Sequence, residues 1–232
     1  MSRDLVKEVF DCQNKLRTDP SSFVPVLEAR LKLLDGDVLK VPGKIDLQTK
    51  EGAKSINEAI EFLKTAEPRP ALTMSKALQK AAEDHAKDHE TNGIMGHVGT
   101  DGSQIKDRIE RYCKWEATLG ENCAYLEPET GQDFIVQLVI DDGVPSRGHR
   151  NNIFKEKYLF VGIAVAGHPQ SGKACVLDYT GGVSGVDADA SATPAVGATA
   201  QGNKNETSPI ELRNEETPQP SSQSGLCCCV IF

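Results

Sequence analysis

The sequence predicts a mixed α/β domain over residues 1–183, followed by a tail of different character. Helical apolar stripes dominate the first half of the chain, and two β-branched and aromatic runs, at residues 158–166 and 173–179, predict a closing hairpin. Residues 184–226 are rich in Ala, Gly, Ser, Thr, Pro, Asn and Gln and contain no aromatic residue. Such a segment cannot bury enough apolar surface to offset its ordering entropy, so we predict a disordered linker there.

The first half of the chain predicts four amphipathic helices, because apolar residues recur every three or four positions. Ser22 is expected to cap the second helix and Gly36 to stop it, and residues 37–49 are expected to be irregular. Thr73 or Ser75 is expected to cap the fourth. The four stripes are Leu5, Val9, Cys12 and Leu16; Val24, Leu27, Leu31 and Leu34; Ile56, Ala59, Ile60 and Leu63; and Leu78, Ala81, Ala82, His85, Ala86 and His89.

Three more elements are predicted before the hairpin: a short helix capped by Ser103, a strand over residues 119–126, and a helix ending at Asp141 and Asp142. Acids in a last turn oppose the helix dipole, at about 0.3–1 kcal/mol each. Broken local rules concentrate at functional sites, which favours a functional role for Asp141. For Asp142 a functional role and a solvated helix end are equally good interpretations. His168 is predicted to be a solvated residue at the hairpin tip.

Composition and charge narrow the classes of function. With a net charge of −8 and no block of basic residues, nucleic acid is not expected as the main partner. No apolar run reaches the ~18 residues of a membrane helix. The first residues contain no basic region followed by an apolar stretch, so we predict no secretory signal and an intracellular protein. The expectation for its scattered cysteines is buried thiols, at Cys12, Cys113, Cys123 and Cys175.

His85 and His89 are four residues apart, which is the spacing of a metal-binding pair on one helix face. No Glu lies between them in the arrangement of a zinc protease, and both lie on the apolar stripe. We therefore predict packed, hydrogen-bonded helix histidines in preference to metal ligands.

The last residues, 227–232, predict a lipid anchor. Cys229-Val230-Ile231-Phe232 forms a C-a-a-X box whose final Phe favours geranylgeranylation of Cys229. One lipid chain gives reversible membrane binding, so a second signal is needed, and Cys227 and Cys228 are the candidates for palmitoylation. We therefore expect attachment to membrane lipids at the cytoplasmic face.

Three short polar motifs lie between apolar runs: GHVGTDGS at residues 96–103, GEN at 120–122 and GHRNNI at 148–153. Their ordered set resembles the CAP superfamily of cysteine-rich secretory proteins, antigen 5 and pathogenesis-related-1, also called the SCP domain. The resemblance covers roughly residues 5–183 and implies a three-layer α-β-α sandwich. Together with the predicted anchor, the chain resembles lipid-anchored intracellular members.

The resemblance also implies a cleft that presents two histidines and two acids. The motifs match His97, Glu121 and His149 directly. The second family acid lies on the helix before the last histidine, where this chain offers Asp141 with Asp142 adjacent. His97 and His149 would be the metal ligands.

Two neutral imidazoles with open positions suit Zn²⁺, and Glu121 and an Asp can orient them through their second ring nitrogens. The hydroxyls near the motifs, including Ser103 and Ser146, lie in no recognised nucleophile motif, so no catalytic residue is assigned. Three functions stay open. The first is a tethered, non-enzymatic module that binds a lipid or protein ligand and a divalent metal. The second is a metal-assisted hydrolase using His97, His149 and Glu121 as base, and the third is a scaffold with a vestigial cleft.

Overall fold

The computed structural model describes residues 4–185, which form seven α-helices and seven strands. The helices are α1 (Leu5–Thr18), α2 (Val24–Leu31), α3 (Ala53–Thr65), α4 (Lys76–Asn92), α5 (Ile105–Glu110), α6 (Gly131–Ile140) and α7 (Gly148–Phe154). The strands are β1 (Leu34–Asp35), β2 (Val38–Leu39), β3 (Leu47–Gln48), β4 (Thr73–Met74), β5 (Lys114–Leu126), β6 (Phe160–His168) and β7 (Gly172–Ser184). None of these helices is long and apolar enough to cross a membrane. The linker was predicted to begin at residue 184, but Ser184 still belongs to β7. The rest of the predicted linker, residues 186–226, and the predicted anchor, residues 227–232, lie outside the described residues.

The main sheet has the strand order β4-β6-β7-β5, so β5 is an edge strand. The predicted hairpin is present as β6 and β7, which pair antiparallel with Ile163 opposite Leu177. β7 also pairs antiparallel with β5, and the short β4 runs parallel to β6. Because β7 lies between its two long partners, the sheet holds β5 at a fixed register against the rest of the domain.

Helices cover both faces of this sheet. Successive strand residues point to opposite faces, and the core divides accordingly. Ile163 and Leu177 pack into the larger core cluster with Leu16 of α1 and Phe134 of α6. Their neighbours Ala164 and Val176, by contrast, pack with residues of α4. The predicted mixed α/β fold, with helical layers on either side of a sheet, is confirmed for the described residues.

Gly162 shows how closely α4 lies on the sheet. A Cβ at this position of β6 would collide with the backbone of Leu78 and Gln79. The absence of a side chain therefore lets the helix backbone approach the strand. This contact sets the position of the α4 layer, and with it that of the loop that follows α4.

The predicted helix starts and stops are right in part. Ser75, and not Thr73, caps α4, because its hydroxyl accepts the Leu78 N–H at 3.4 Å. Ser22 does not cap α2, which follows a 3₁₀ turn at Pro20–Phe23 and has no side-chain cap. The short helix predicted after Ser103 begins one residue later, with Gln104 as its cap.

Two segments differ more substantially from the sequence prediction. Leu34, expected on the stripe of the second helix, starts β1, and Gly36 with φ 62° forms the turn into β2. Residues 37–49, expected to be irregular, contribute β2 and β3 to a small antiparallel sheet. His168 is not solvated but 4% exposed, and its Nε2 lies 3.1 Å from the Ile94 carbonyl oxygen. The ring can therefore be buried, because a backbone carbonyl outside the hairpin takes the place of water as its hydrogen-bond partner.

Candidate functional site

The residues of the predicted cleft gather along edge strand β5. Glu121 and Asn122 are consecutive on this strand, so their side chains point to opposite faces of the sheet. Glu121 contacts the loop that carries His97, on the α4 side. The Asn122 side chain donates to the backbone carbonyl of His149, in α7, at 3.1 Å. Each helical layer thus brings one histidine to adjacent residues of the same strand.

Glu121 holds His97 and is itself held by Arg108. Its Oε1 lies 2.8 Å from His97 Nδ1, and its Oε2 accepts from Arg108 Nη2 at 2.6 Å. Arg108 is 1% exposed and also donates to the backbone carbonyls of His97 and Ser103. The guanidinium therefore fixes the loop and the carboxylate together. The carboxylate in turn favours the His97 tautomer with a proton on Nδ1, which leaves the Nε2 lone pair available.

Electrostatics keep Glu121 ionised in this buried position. Burial alone would raise its pKa, but the hydrogen bond from His97 and the charge of Arg108 lower the pKa to about 2. Asp178 lies opposite Glu121 in the β5–β7 register. Burial and the neighbouring Glu121 charge raise the pKa of Asp178 well above its usual range. Of these two facing acids, Glu121 is thus the stronger acid and Asp178 the weaker one.

Asp141 holds His149 from the other layer. Its Oδ1 lies 2.6 Å from His149 Nδ1, and its Oδ2 accepts the backbone N–H of His149 at 2.9 Å and of Arg150 at 3.3 Å. Asp141 ends α6 in the left-handed region, at φ 57°. Its carboxylate lies at the start of α7, where it satisfies exposed N–H groups and complements the positive end of that helix dipole. These contacts with the start of α7 offset the dipole penalty that an acid at the end of α6 is expected to carry.

Asp142 has a structural role. It is 2% exposed and accepts the N–H groups of Lys50 at 2.6 Å and Glu51 at 2.8 Å, and the Ser55 hydroxyl at 3.1 Å. The interpretation as a solvated helix end is wrong, because backbone groups of the segment before α3 replace water. Asp141, and not Asp142, is the acid bonded to His149.

An ion network centred on the buried Arg147 holds the turn between Asp141 and His149, although the Glu58 side chain in it is 44% exposed. Arg147 donates to Glu51 at 2.6 and 2.8 Å and to Glu58 at 2.7 and 3.0 Å. Its Nη1 also donates to the Asp141 carbonyl at 2.8 Å, and its own φ is 51°. Hydrogen bonds from Arg147 and Arg150 lower the pKa of Glu58 to about 2. Sequence reasoning missed this network, because the partners lie 89 to 96 residues apart along the chain.

Hydrogen bonds join the second and third polar motifs into one unit. The Asn152 side chain donates to the Glu121 carbonyl at 3.2 Å and to Asn122 Oδ1 at 2.9 Å. The Tyr158 hydroxyl donates to the Leu119 carbonyl at 2.8 Å. Gly120 makes room for that hydroxyl, because a Cβ there would run into it. The motifs therefore supply hydrogen bonds that support the predicted site, as well as the site side chains Glu121 and His149.

Comparison with known proteins agrees with this architecture. The family model described as the cysteine-rich secretory protein family, CAP, matches residues 10–179, which is most of the chain. The chain belongs to the CAP family. The match contains all the cleft residues that the sequence motifs indicated. The comparison with curated proteins finds no match.

Three solved structures are similar to this CAP domain. An extracellular SCP-domain protein from Bacillus anthracis str. Ames is 22% identical with a TM-score of 0.41, over 48% of this chain and 34% of that one. An outer surface protein from Borrelia burgdorferi is 16% identical with a TM-score of 0.40, over 47% and 76%. The CAP domain of Enterococcal PrgA is 14% identical with a TM-score of 0.34, over 73% of each chain. This chain thus spans about a third of the length of the Bacillus protein.

The two imidazoles of the predicted cleft are each oriented by a carboxylate through Nδ1, and no hydroxyl nucleophile is bonded to either ring among the described residues. The His97 side chain is 42% exposed and that of His149 12%, so both are reachable from solvent. Family membership suggests a non-enzymatic binding module, and the described residues include His, Cys and Glu groups that can hold a metal ion.

Two such groups have donor atoms within 4.8 Å of one another: His85, His89 and Cys123, and His97, Glu121 and Cys123. Among the described residues, no group of three includes His149.

The prediction of packed, hydrogen-bonded helix histidines is confirmed, because His85 and His89 are 0% exposed and bond backbone carbonyls. Cys113, Cys123 and Cys175 are buried and form no disulfide, as predicted, whereas Cys12 is half-buried. No local pattern indicated that Cys123 lies beside histidines from two other elements.

Proposed function

We propose that this CAP domain is a non-enzymatic binding module whose cleft presents His97 and His149 to a divalent metal, with a lipid or a protein as its ligand. The observation that carries the proposal is the matched support of the two rings. Each imidazole is bonded through Nδ1 to its own buried carboxylate, Glu121 or Asp141. Carboxylates bonded to the second ring nitrogen of a histidine are the common support of metal ligands, since they fix the tautomer and raise the basicity of the ligand atom.

The residues fit Zn²⁺ in their chemistry. His97 and His149 would each offer a neutral Nε2, which is a preferred zinc donor, and the remaining positions would be filled by water or a ligand atom. When bound, the metal would supply a Lewis-acidic site for an anionic or carbonyl oxygen. The negative charges of Glu121 and Asp141 would partly offset the charge of the metal. Both carboxylates would keep their hydrogen bonds to the histidine rings.

The alternative is a metal-assisted hydrolase with Glu121 as the general base. Glu121 is poorly suited to that role. Its side chain is 2% exposed and both oxygens already accept hydrogen bonds from His97 and Arg108. Its pKa of about 2 also makes it a weak base at neutral pH, where a general base with a pKa near 7 is most effective.

Zinc titration of the purified full chain, with the three tail cysteines replaced by serine, distinguishes these functions. The proposal predicts stoichiometric zinc binding that is lost in His97→Ala/His149→Ala and kept in His89→Gln, a matched change of a buried histidine. Zinc binding without turnover on ester and peptide substrates supports the binding module, and zinc-dependent turnover lost in the double variant would replace it with the hydrolase. Unchanged zinc affinity in the double variant would contradict both the metal-binding module and the hydrolase, and would favour a vestigial cleft.

We further propose that the domain is tethered to the cytoplasmic face of membranes by lipids on Cys229 and on Cys227 or Cys228. The support is the C-a-a-X box and the composition of the segment before it. Charge alone would not hold the chain at an anionic membrane, because such membranes attract basic segments and the chain carries 34 acidic against 26 basic residues.

Membrane fractionation of cells expressing the full chain tests the tether. Cys229→Ser should move the protein to the soluble fraction, because prenylation normally precedes palmitoylation of neighbouring cysteines. Cys227→Ser/Cys228→Ser should leave weaker, exchanging attachment, since a single chain binds reversibly. Cys175→Ser serves as the control, because this thiol is buried in the domain. Cys229→Ser protein that stays in the membrane fraction would contradict the proposal.

A further inference from the structure

A group of side chains with the donor atoms of a metal site lies between α4 and β5. His85 and His89 come from successive turns of α4, and their ring centroids are 4.1 Å apart. Cys123 of β5 completes the set, with one donor atom of each residue within 4.8 Å of the others. The three side chains are 0 to 3% exposed, so water does not compete for them.

Hydrogen bonds set the tautomers of both rings. His85 Nε2 lies 2.9 Å from the Gly96 carbonyl oxygen, and His89 Nδ1 lies 2.7 Å from that of Ile94. A carbonyl only accepts, so these nitrogens carry the protons. The lone pairs are then on His85 Nδ1 and His89 Nε2. Burial lowers the pKa of both histidines, that of His89 to about 4.

One of these lone pairs has no partner. His85 Nδ1 is fully buried and makes no hydrogen bond. His89 Nε2 has a long contact, 3.4 Å, with the Tyr125 hydroxyl, which itself accepts the Gly96 N–H at 2.8 Å. A buried polar atom without a partner carries a penalty of about 1–3 kcal/mol, which a bound cation would remove.

The neighbouring group of His97, Glu121 and Cys123 differs in this respect. His97 Nδ1 is bonded to Glu121 Oε1, and Glu121 Oε2 to Arg108. A cation there would have to break both hydrogen bonds. The deeper group would lose only long contacts, that of Cys123 Sγ with the Gly96 carbonyl oxygen at 3.5 Å and that of His89 Nε2 with the Tyr125 hydroxyl at 3.4 Å. The shorter hydrogen bonds that orient the two rings use the other ring nitrogens and would remain.

We propose that His85, His89 and Cys123 form a buried site for a soft monovalent cation, Cu⁺. The imidazoles would bind through Nδ1 of His85 and Nε2 of His89. Cys123 would bind as the thiolate, with its proton released to solvent.

Charge and coordination number favour Cu⁺ over Zn²⁺ at this site. Cu⁺ with one thiolate and two neutral imidazoles is electrically neutral, whereas Zn²⁺ would leave one positive charge in a dry interior. Structural zinc is almost always four-coordinate, and this group offers three donors. Thiolate and thioether sulfurs select Cu⁺. A thioether is also close, because Met95, on the loop bonded to both rings, packs against the cluster that contains Cys123.

The test is an anaerobic Cu⁺ titration of the full chain against a chromophoric Cu⁺ chelator, with Cys227, Cys228 and Cys229 replaced by serine throughout. We expect one equivalent of Cu⁺, and an X-ray absorption spectrum that shows nitrogen and sulfur ligands together. Cys123→Ala and His89→Gln should each weaken Cu⁺ binding about tenfold or more. Cys175→Ala is the matched control, since Cys175 is equally buried but lies in the larger core cluster on the other face of the sheet.

The result separates this site from the zinc cleft. His149→Ala should abolish zinc binding in the cleft and leave Cu⁺ affinity unchanged, whereas His89→Gln should weaken Cu⁺ binding and leave zinc affinity unchanged. Equal Cu⁺ affinity of Cys123→Ala and the parent protein would overturn the proposal, and so would a site that takes Zn²⁺ in preference to Cu⁺. Should Cys123→Ala fail to fold, the absorption spectrum of the parent protein still decides, because a spectrum without sulfur refutes Cys123 as a ligand.

Discussion

Arg108→Met removes a buried guanidinium from the centre of the His97 side of the cleft. Methionine keeps much of the apolar stem but makes none of the hydrogen bonds to Glu121 and to the carbonyls of His97 and Ser103. Glu121, with a side chain 2% exposed, is left as a buried carboxylate without its cation. Breaking a buried ion pair by removing one partner costs about 3–5 kcal/mol, so we expect a loss of that size in the free energy of unfolding at pH 7.

The pH dependence identifies the cause of this loss. In the parent protein Glu121 has a depressed pKa of about 2, so its stabilising contribution is present above pH 4.5 and is lost as the pH falls toward 2. Without Arg108 the Glu121 pKa rises, the carboxylate takes up a proton at higher pH, and the contribution shrinks. The stability difference between variant and parent should therefore be largest at pH 7 and should narrow on acidification below about pH 5.

Urea unfolding of metal-free protein at several pH values measures both effects. Arg111→Met is the matched control, because Arg111 pairs with Asp84 and Asp101 in solvent, with its side chain 42% exposed. Exposed pairs contribute about 0–1 kcal/mol, so little change is expected there. A loss below about 1 kcal/mol for Arg108→Met, or a loss independent of pH, would refute the role assigned to the Arg108–Glu121 pair.

Three further predictions concern the rest of the cleft and its support. Asp141→Asn should weaken zinc binding by about 10–100-fold in calorimetric titration, because an amide orients His149 less well than a carboxylate; unchanged affinity would show that Asp141 acts only as a helix cap. Gly162→Ala should cost about 1–3 kcal/mol in urea unfolding, because its Cβ would meet the α4 backbone, whereas Gly148→Ala, with only a 3.5 Å contact, should be nearly neutral. Glu58→Gln should flatten the fall in stability between about pH 4.5 and 2, since the parent carboxylate has a pKa near 2; an unchanged profile would contradict its pairing with Arg147.

Local signals in the sequence predicted much of the fold. The helical stripes placed α1, α3 and α4 close to their observed bounds, since period and caps depend on nearby residues. The 3₁₀ turn before α2 and the small sheet around Gly36 were missed. Their strands are two residues long and depend on pairing across the segment rather than on a repeated pattern.

The sequence could predict those site residues that lie within short contiguous motifs. His97, Glu121 and His149 lie within short polar motifs, and Asp141 broke a local dipole rule that the structure explains by its contacts with α7. Long-range partners could not be predicted in this way. Nothing near Cys123 indicates that two helix histidines lie beside it.

Long-range ¹H–¹⁵N correlation spectra of the imidazole rings test the central claim most directly, because they report which nitrogen carries the proton and which binds metal. In metal-free protein, both His97 and His149 should carry a proton on Nδ1, facing Glu121 and Asp141. One equivalent of Zn²⁺ should shift the Nε2 resonances of both rings together. A proton on Nε2 of either ring in the metal-free protein, or zinc that shifts neither resonance, would contradict a cleft built to present two imidazoles to a metal.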